Sequence, residues 1–221
     1  MNERFAFDFS AAGADDAAVA GADEAGRGCL AGPLVAAAVC LDYAALGAAG
    51  FEALAALDDS KRLSASRRAS LYAEVLSRAR QVVVVACSAG TIDRDGLHKT
   101  NLGALAAAVE RLDPVPGVTL VDGFALPLCR RPHRAVVGGD HRSAAIAAAS
   151  IIAKVTRDRL MRTLHGSFPQ YGFDRHVGYA TADHRAAIAA HGVCELHRMS
   201  FNSVAYEQLG LELTTEAHRR T

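Results

Sequence analysis

Residues 19–28 have the sequence VAGADEAGRG, which places two adjacent acids between a short apolar run and a glycine-flanked arginine. The run from Val19 to Asp23 predicts a β-strand. Neighbouring side chains of a strand point to opposite faces, so Asp23 and Glu24 reach one site only if the chain turns directly after them. The glycines at positions 26 and 28 permit such a turn. The segment therefore predicts two carboxylates at the end of a sheet strand.

The other periodic segments predict further strands, followed by helices. Strands are predicted over Leu34–Leu41, Gln81–Ser88, Val118–Asp122 and Ala135–Val137. Helices are predicted over Ser66–Arg80 after a cap at Ser64, over Leu97–Leu112, over Ser143–Leu164, and from a cap at Thr181 to His191. Strands that precede helices in this way indicate an α/β fold with a mixed sheet.

The composition is that of one globular domain. The chain has 221 residues, of which 51% are hydrophobic and 22% are charged, enough to bury a full core. We expect residues 1–18 to be loosely ordered and residues 205–221 to form a polar tail. The five cysteines are odd in number and lie mostly in apolar surroundings, which predicts free thiols.

The charge balance gives no indication of a polyanionic partner. Lys plus Arg equals Asp plus Glu at 24 each. Basic residues cluster locally, for example within residues 154–162, but such a cluster is most often a solvated face. Any contact with a polyanion must therefore depend on particular residues.

No membrane segment or secretion signal is predicted. The longest uncharged apolar run, Cys29–Leu41, is too short to span a bilayer. The opening Met1–Phe5 is followed by acids and lacks the basic stretch and apolar block of a signal peptide. We therefore expect a cytoplasmic protein without membrane contact.

Four acids of the sequence share one local setting. Asp122 and Asp140 end predicted short strands beside glycines, as Asp23 and Glu24 do. Two like charges about 4 Å apart cost on the order of 4 kcal/mol at an effective dielectric near 20, so such a cluster must hold protons or bind cations. Carboxylate oxygens suit Mg²⁺ or Mn²⁺, and a pair of these ions can clamp a phosphodiester during cleavage. Phosphoryl transfer is the predicted reaction class.

Two other interpretations of residues 21–28 compete with this one. An adjacent Asp-Glu pair is, on its own, most often an acidic surface turn. Gly21 and Gly26 also have the spacing of a phosphate-binding P-loop, but Arg27 and Gly28 stand where such a loop needs Lys and Ser or Thr. Two carboxylates within the loop would also repel phosphates, so the acids fit near phosphate only with cations between them.

The same segment resembles a known family. Residues 23–28, followed by Ala31–Val35, closely resemble the opening motif of bacterial ribonuclease HII, the type 2 ribonuclease H. The resemblance spans residues 20 to about 204, and its further blocks, in order, are Asp59–Lys61, Val121–Gly123, Gly139–Asp140, Ala148–Asp158, Phe168–Phe173, His176 with Gly178–Tyr179, and His197–Arg198 with Ser200–Phe201. It implies a ribonuclease H-like mixed sheet flanked by helices, with a helical C-terminal part, over residues 19–204.

The resemblance also implies an activity and a set of metal ligands. Two divalent ions, Mn²⁺ or Mg²⁺, would be bound by the catalytic acids Asp23, Glu24, Asp122 and Asp140. The enzyme would cut the RNA strand of RNA/DNA hybrids. It would also incise duplex DNA on the 5′ side of single ribonucleotides, leaving 3′-hydroxyl and 5′-phosphate ends. Asp158 follows an arginine within a predicted helix, so we expect it to pair with that neighbour and to support the site.

The family motifs assign substrate contacts as well. Gly26, Arg27 and Gly28 resemble the loop that recognises the ribose 2′-hydroxyl, and Tyr179 resembles the tyrosine that packs against the adjacent sugar. Phosphate contacts are assigned to Ser60, Lys61, Arg62, Ser150 and Lys154. Val177 and Ala147 depart from the family, where Lys and Ser are common. We expect these two departures to affect contacts with the nucleic-acid backbone rather than the acids.

Two alternative functions would use the same residues. A different two-metal nuclease or integrase on this architecture would cut duplex DNA that contains no ribonucleotide. A non-catalytic module that binds RNA/DNA hybrids would not need to bind metal. The four acids argue against such a binding module.

A short motif near the end has two interpretations, of which packing on the core is the more common for such a segment and docking on a protein partner is the other. Gln208–Leu213 resembles the segment by which bacterial proteins dock on the replication sliding clamp. The alternative is a helix end that packs its leucines on the core. Apart from this partner and its nucleic-acid substrates, RNA/DNA hybrid and ribonucleotide-containing duplex DNA, the protein is expected to act as a monomer.

Overall fold

A five-stranded sheet forms the centre of the molecule. The computed structural model describes residues 2–12, 18–58, 60, 63–201 and 206. The strands within them are β1 (Ala18–Ala25), β2 (Leu34–Asp42), β3 (Gln81–Cys87), β4 (Val118–Asp122) and β5 (Arg134–Val136), in the spatial order β3-β2-β1-β4-β5. Strand β2 runs antiparallel to β1 and β3, whereas β4 runs parallel to β1 and β5. The predicted mixed sheet is confirmed.

Helices cover both faces of this sheet. The α-helices of the described residues are α1 (Glu3–Ala12), α2 (Tyr43–Ala53), α3 (Ala65–Arg78), α4 (Ala89–Asp95), α5 (Leu97–Glu110), α6 (Gly139–Arg142), α7 (Ala144–His165), α8 (Phe173–His176) and α9 (Ala182–His191). One apolar core lies between the sheet and α1, α2, α3 and α7, and a second lies between the sheet and α4 and α5. In the part of the chain that the structure describes, no helix combines the length and apolarity needed to cross a membrane.

The helix starts follow from local hydrogen bonds. Ser64 accepts a hydrogen bond from the N–H of Arg67, and Thr181 accepts one from the N–H of His184, so both predicted caps are confirmed. Ser143 caps α7 in the same way through the N–H of Ile146. A side-chain oxygen at this position satisfies one of the free donors at a helix start, which explains why each helix begins there.

The N-terminal segment differs from the expected loose order. Residues 3–12 form α1, and the buried ring of Phe5 lies edge-on to Phe51 of α2, with ring centres 5.0 Å apart. Phe9 packs likewise on Tyr43, at 4.9 Å. Phe5 and Phe9 are four residues apart and give α1 one apolar side. The small residues around them carry little periodic signal, so neither α1 nor α2 was predicted from the sequence.

Helix α7 packs directly on strand β1. A Cβ atom added at Gly21 of β1 would lie 2.1 Å from the carbonyl carbon of Ala145. The first turns of α7 are built from alanines that are fully buried, at positions 144, 145, 147, 148 and 149. Small side chains on both elements let the two backbones approach closely, and the many alanines of the chain thereby acquire a packing role.

The helical C-terminal part forms a small core of its own around Met161, Tyr171 and Phe173. It turns at Val177, whose φ of 45° lies in the left-handed region that a β-branched residue rarely adopts. The N–H of Val177 donates to the carbonyl of Phe173, and its own carbonyl accepts from Arg157. These contacts hold the strained turn, after which the carbonyl of Gly178 accepts the N–H of Leu30.

The close approach at Gly21 gives a stability prediction. We expect Gly21→Ala to lower the free energy of unfolding by about 1–3 kcal/mol or more, because the added Cβ meets backbone atoms that cannot rotate away. The matched control is Gly103→Ala in α5, where a Cβ would meet no atom within 4 Å. Gly103→Ala should stabilise the protein by about 0.5–1 kcal/mol. Urea unfolding measures both, and equal stability of the two variants would contradict the proposed packing.

Candidate active site

One pocket opens at the edge of the sheet where β1 and β4 end. The parallel register pairs Ala22 with Val121, so Asp23 and Asp122 emerge side by side. The pocket has a volume of about 640 Å³. It is lined by Asp23, Glu24, Ala25, Gly26, Arg27, Gly28, Ser60, Leu97, Asp122, Asp140, Ser150, Lys154, Tyr179 and Phe201. The fold thus gathers residues that are far apart in sequence at one edge of the sheet.

Asp23 is the most deeply placed of the pocket acids. Only 6% of its surface is exposed, and one of its oxygens accepts the N–H of Glu24 at 2.7 Å. Burial raises the pKa of Asp23 well above its usual value, and the charges of Glu24 and Asp122 raise it further. Hydrogen bonding to Ser150 opposes this rise. Ionising this carboxylate in the folded protein is therefore unfavourable, and a nearby cation would make the ionisation less unfavourable.

Glu24 shares the pocket with Asp23 although the two are neighbours on a strand. Strand β1 ends at Ala25 and the chain turns at Gly26, whose φ is 94°. The carboxylate of Glu24 lies 3.3 Å from the guanidinium of Arg27. Burial raises the pKa of Glu24, and the charge of Arg27 opposes that rise. The predicted turn after the two acids is therefore present.

Asp122 and Asp140 are brought together by the start of α6. An oxygen of Asp122 accepts the N–H of Gly139 at 2.6 Å, and Gly139 directly precedes Asp140. The prediction that Asp140 ends a strand is wrong, because β5 ends at Val136 and Asp140 lies in the first turn of α6. Val137 and Gly138 separate the two elements, and the φ of 61° at Gly138 turns the chain out of the strand direction before α6 begins at Gly139.

The donor set of this pocket fits hard divalent cations. Among the residues that the structure describes, no three His, Cys, Asp or Glu side chains form a complete metal-ligand group. Mg²⁺ does not need one, because it keeps several waters and binds through one or two carboxylates together with substrate phosphates. All four acids offer oxygen ligands, which Mg²⁺ and Mn²⁺ prefer. The raised pKa values of Asp23 and Glu24 mean that nearby positive charge would stabilise both ionised carboxylates.

In the glycine-arginine loop after β1, the space next to Gly26 is filled and the space next to Gly28 is open. A Cβ at Gly26 would lie 2.1 Å from the side chain of Arg157, and the positive φ there already favours glycine. A Cβ at Gly28 would meet no atom within 4 Å, although Gly28 lines the pocket. Gly26 is therefore required by the fold, whereas Gly28 leaves space that the fold itself does not fill.

Two buried arginines hold this loop by its carbonyl groups. Arg198 donates to the carbonyls of Arg27 and Gly32, and burial lowers its pKa to about 10. Arg157 is fully buried and donates to three carbonyls, those of Ala31, Pro33 and Val177. Neither charge nor spacing predicted these roles, and the interpretation of residues 154–162 as a solvated basic face is wrong for Arg157, which is fully buried. Its position within a family block was the one available signal.

Lys154 lies between an acid and an aromatic ring at the pocket wall. Its ammonium is 2.8 Å from Asp158 and 5.3 Å from the ring centre of Tyr179. The expected pairing of Asp158 with its arginine neighbour is wrong, because Arg157 turns to the carbonyls and Asp158 pairs with Lys154 one helical turn away. Asp158 therefore orients a pocket residue without lining the pocket itself.

Of the other residues predicted to contact phosphate, some line the pocket and some lie outside the described residues. The hydroxyls of Ser60 and Ser150 lie 3.0 Å apart in the pocket. Leu97 and Phe201 line it as well, although the sequence assigned them no site role. Lys61 and Arg62 lie outside the described residues, as does the clamp-like segment 208–213.

The chain is similar to known proteins over most of its length. Residues 20–204 match the family model for Ribonuclease HII. A ribonuclease HII of Xanthobacter autotrophicus is 50% identical over 195 residues, which cover 88% of this chain and 75% of that protein. The ribonuclease HII in a solved PCNA:RNase HII complex from Archaeoglobus fulgidus has a TM-score of 0.70 at 28% identity, over 84% of this chain and 95% of that one. Bst-RNase HIII, solved in complex with Mn²⁺, shares the fold, with a TM-score of 0.63 at 22% identity, over 93% of this chain and 71% of that one.

The pocket acids give a paired prediction about activity and stability. Asp23→Asn, Glu24→Gln, Asp122→Asn and Asp140→Asn should each remove nearly all phosphodiester cleavage. Asp23→Asn should also raise the Tm of the metal-free protein, because it removes a buried charge and its repulsion with Glu24 and Asp122. Cleavage assays and thermal unfolding measure the two effects.

Asp158→Asn serves as the control for these four variants. It weakens the contact with Lys154 but removes no pocket acid, so cleavage should fall only moderately. An inactive Asp158→Asn together with an active Asp140→Asn would overturn the choice of Asp140 as the fourth acid.

Proposed function

The chain belongs to the ribonuclease HII family of metal-dependent endoribonucleases that act on RNA/DNA hybrids, and we propose that it also incises duplex DNA on the 5′ side of single ribonucleotides. The observation that carries this proposal is one pocket in which four carboxylates face a glycine-arginine loop with open space at Gly28. The acids suit phosphodiester hydrolysis, and the open space suits a ribose. The products would carry 3′-hydroxyl and 5′-phosphate ends.

Asp23, Glu24, Asp122 and Asp140 would hold the divalent ions, Mg²⁺ or Mn²⁺. When bound, two such ions supply charge that activates water and stabilises the leaving oxygen. The oxygen of a water attacks phosphorus, the bond from phosphorus to the 3′ oxygen breaks, and that oxygen leaves as a hydroxyl. No covalent bond to the protein is needed. The side chains themselves therefore act by holding the reacting groups in line.

Three polar side chains would hold the phosphates on either side of the cut. Ser60 and Ser150 have adjacent hydroxyls in the pocket, and Ser150 also hydrogen-bonds to Asp23. Lys154 is kept at the pocket wall by Asp158. Because these groups line the same pocket as the acids, they would hold the phosphates that flank the reacting one.

The glycine-arginine loop would read the sugar rather than the base. The absence of a side chain at Gly28 lets the backbone approach a ribose. Arg198 holds the carbonyl of Arg27 within the loop, and Arg157 holds the carbonyl of Ala31 just after it. A loop fixed in this way needs little reordering when a 2′-hydroxyl binds. A site that hydrogen-bonds a hydroxyl rejects an analogue that lacks it, because its own polar groups are left unpaired. Tyr179, 38% exposed at the pocket wall, would pack against the following sugar.

We further propose a cytoplasmic monomer that docks on the replication sliding clamp through Gln208–Leu213. The support is the resemblance of this segment to clamp-binding motifs, together with the Archaeoglobus fulgidus relative, which was solved in a complex with PCNA. The catalytic unit would comprise residues 19–204. The polar tail from residue 205 would carry the docking segment.

The proposed sugar recognition predicts a strict order of substrates. At fixed salt and metal, a duplex with one ribonucleotide and a continuous RNA/DNA hybrid should both be cut, and an all-DNA duplex should be essentially uncut. Gly28→Val should abolish cleavage with little change in Tm, because its side chain enters space that is open in the free protein. Tyr179→Ala should weaken chiefly the single-ribonucleotide substrate, by loosening the register of the sugar.

Two controls make this comparison sharp. Gly26→Ala should lower Tm as well as cleavage, because its Cβ meets Arg157. Tyr72→Ala removes a ring that stacks on Arg159 of α7 at 4.4 Å but does not line the pocket, so the substrate ratio should stay unchanged. Comparable cutting of all-DNA duplex would favour another nuclease on this fold. Binding of hybrid without cutting in either metal would favour a binding module.

The clamp proposal has its own test. Leu209→Ala combined with Leu211→Ala should weaken binding to a bacterial sliding clamp by roughly tenfold or more, because apolar anchors carry most of such an interface. Tm and cleavage of short duplexes should not change. A fall in Tm with unchanged clamp binding would instead mean that these leucines pack on the core.

A further inference from the structure

We propose that helix α1 positions Asp140 and thereby tunes metal binding in the pocket. The region that matches the ribonuclease HII model begins at residue 20, so α1 (Glu3–Ala12) lies outside it. Three residues of one side of α1, Arg4, Phe7 and Asp8, nevertheless contact the segments around Asp140. This inference rests on the proposed role of Asp140 as a metal ligand.

Asp8 fastens α1 to the start of α7. Its side chain is fully buried, and one oxygen accepts both the N–H of Ala145 at 2.9 Å and the hydroxyl of Tyr43 at 2.5 Å. The N–H of Ala145 is one of the free donors in the first turn of α7, where a negative charge is also favoured by the helix dipole. A buried carboxylate from a separate helix therefore adds a second acceptor to the cap that Ser143 makes at the start of α7, and it ties α1 to that start.

Phe7 contacts α6 itself. The guanidinium of Arg142 lies 4.7 Å from the centre of the Phe7 ring, and Arg142 is two residues after Asp140. A cation above an aromatic face is attracted by the negative face of the ring. Helix α6 has four residues, too few to be stable by its own hydrogen bonds, so contacts of this kind decide its position.

Arg4 reaches the same corner from the other end of α1. Its guanidinium lies 2.5 Å from Asp58, whose same oxygen is 3.9 Å from a ring nitrogen of His141. The other ring nitrogen of His141 is 4.0 Å from Asp140. A chain of contacts thus connects α1 to the carboxylate of Asp140, and Asp58 also lies two residues before the pocket residue Ser60.

These contacts act on Asp140 because α6 is fixed on its other side by the pocket. The N–H of Gly139 is held by Asp122, and the N–H of Ser143 donates to the carbonyl of Gly139 at 2.7 Å. A shift of α6 would therefore move Asp140 relative to Asp122. Groups that orient metal ligands typically change metal affinity by about 10–100-fold when they are removed.

The test compares two phenylalanines of α1. Phe7→Leu keeps an apolar side chain but removes the ring face under Arg142, whereas Phe9→Leu alters a ring that packs on Tyr43 and Phe51. Phe7→Leu should raise the Mn²⁺ concentration for half-maximal cleavage of an RNA/DNA hybrid by roughly tenfold and lower kcat, with KM unchanged. Phe9→Leu should leave all three values unchanged even if Tm falls.

A readout without cleavage accompanies these assays. Calorimetric titration of the full chain with Mn²⁺ alone should show weaker binding for Phe7→Leu and for Asp8→Asn than for Phe9→Leu at the same temperature. Equal Mn²⁺ affinity in all three variants, or equal loss in all three, would overturn the positioning role and leave α1 as a stabilising helix. If Asp140→Asn binds Mn²⁺ and cleaves like the parent, the role of Asp140 fails instead, which keeps the two proposals separable.

Discussion

The close contact between α7 and β1 is the constraint on which the rest of the structure depends. Gly21 lets the backbone of α7 approach the strand two residues before Asp23, so the strand that ends in the acids and the long helix are fixed to each other. The same helix then carries Ser150 and Lys154 to the pocket and Arg157 to the loop carbonyls. Its first turn follows directly on α6, which bears Asp140. This one helix–strand contact therefore fixes the positions of Asp23, Asp140, Ser150 and Lys154 relative to one another.

The buried acids destabilise the folded protein, whereas the packing of α7 on β1 stabilises it. Burial and mutual repulsion raise the pKa of Asp23 and Glu24, so the folded protein holds these carboxylates at a cost in stability. Hydrogen bonds from Ser150 and from the N–H of Glu24 hold Asp23 against that repulsion, and the guanidinium of Arg27 holds Glu24. The arrangement suits a site whose charge is balanced only when cations bind. Stability and function are separated in space, since the apolar cores lie behind the sheet edge that carries the acids.

The loop proposed to contact the sugar is held in place by buried side chains beneath it. Arg157 and Arg198 are buried, and each donates three hydrogen bonds to main-chain carbonyls. A planar guanidinium with five donors can satisfy several carbonyls at once, which a lysine cannot do. The strained turn at Val177 is part of the same set of bonds. The loop can therefore stay in one conformation although its glycines would permit many.

The sequence by itself determined the sheet, the main helices and their caps, because alternation, helical spacing and capping residues are local signals. The motif around Asp23 and the order of the family blocks likewise identified the family. Local signals could not show that α1 is ordered or that Asp140 lies in a helical turn, whereas the pairing of Asp158 with Lys154 has the i,i+4 spacing of a helix and was readable from the sequence. The first two features depend on which distant groups meet, such as Asp8 with Ala145 or Gly139 with Asp122. Only the tertiary structure decides such contacts, because the sequence of one segment does not indicate which distant segment it will pack against.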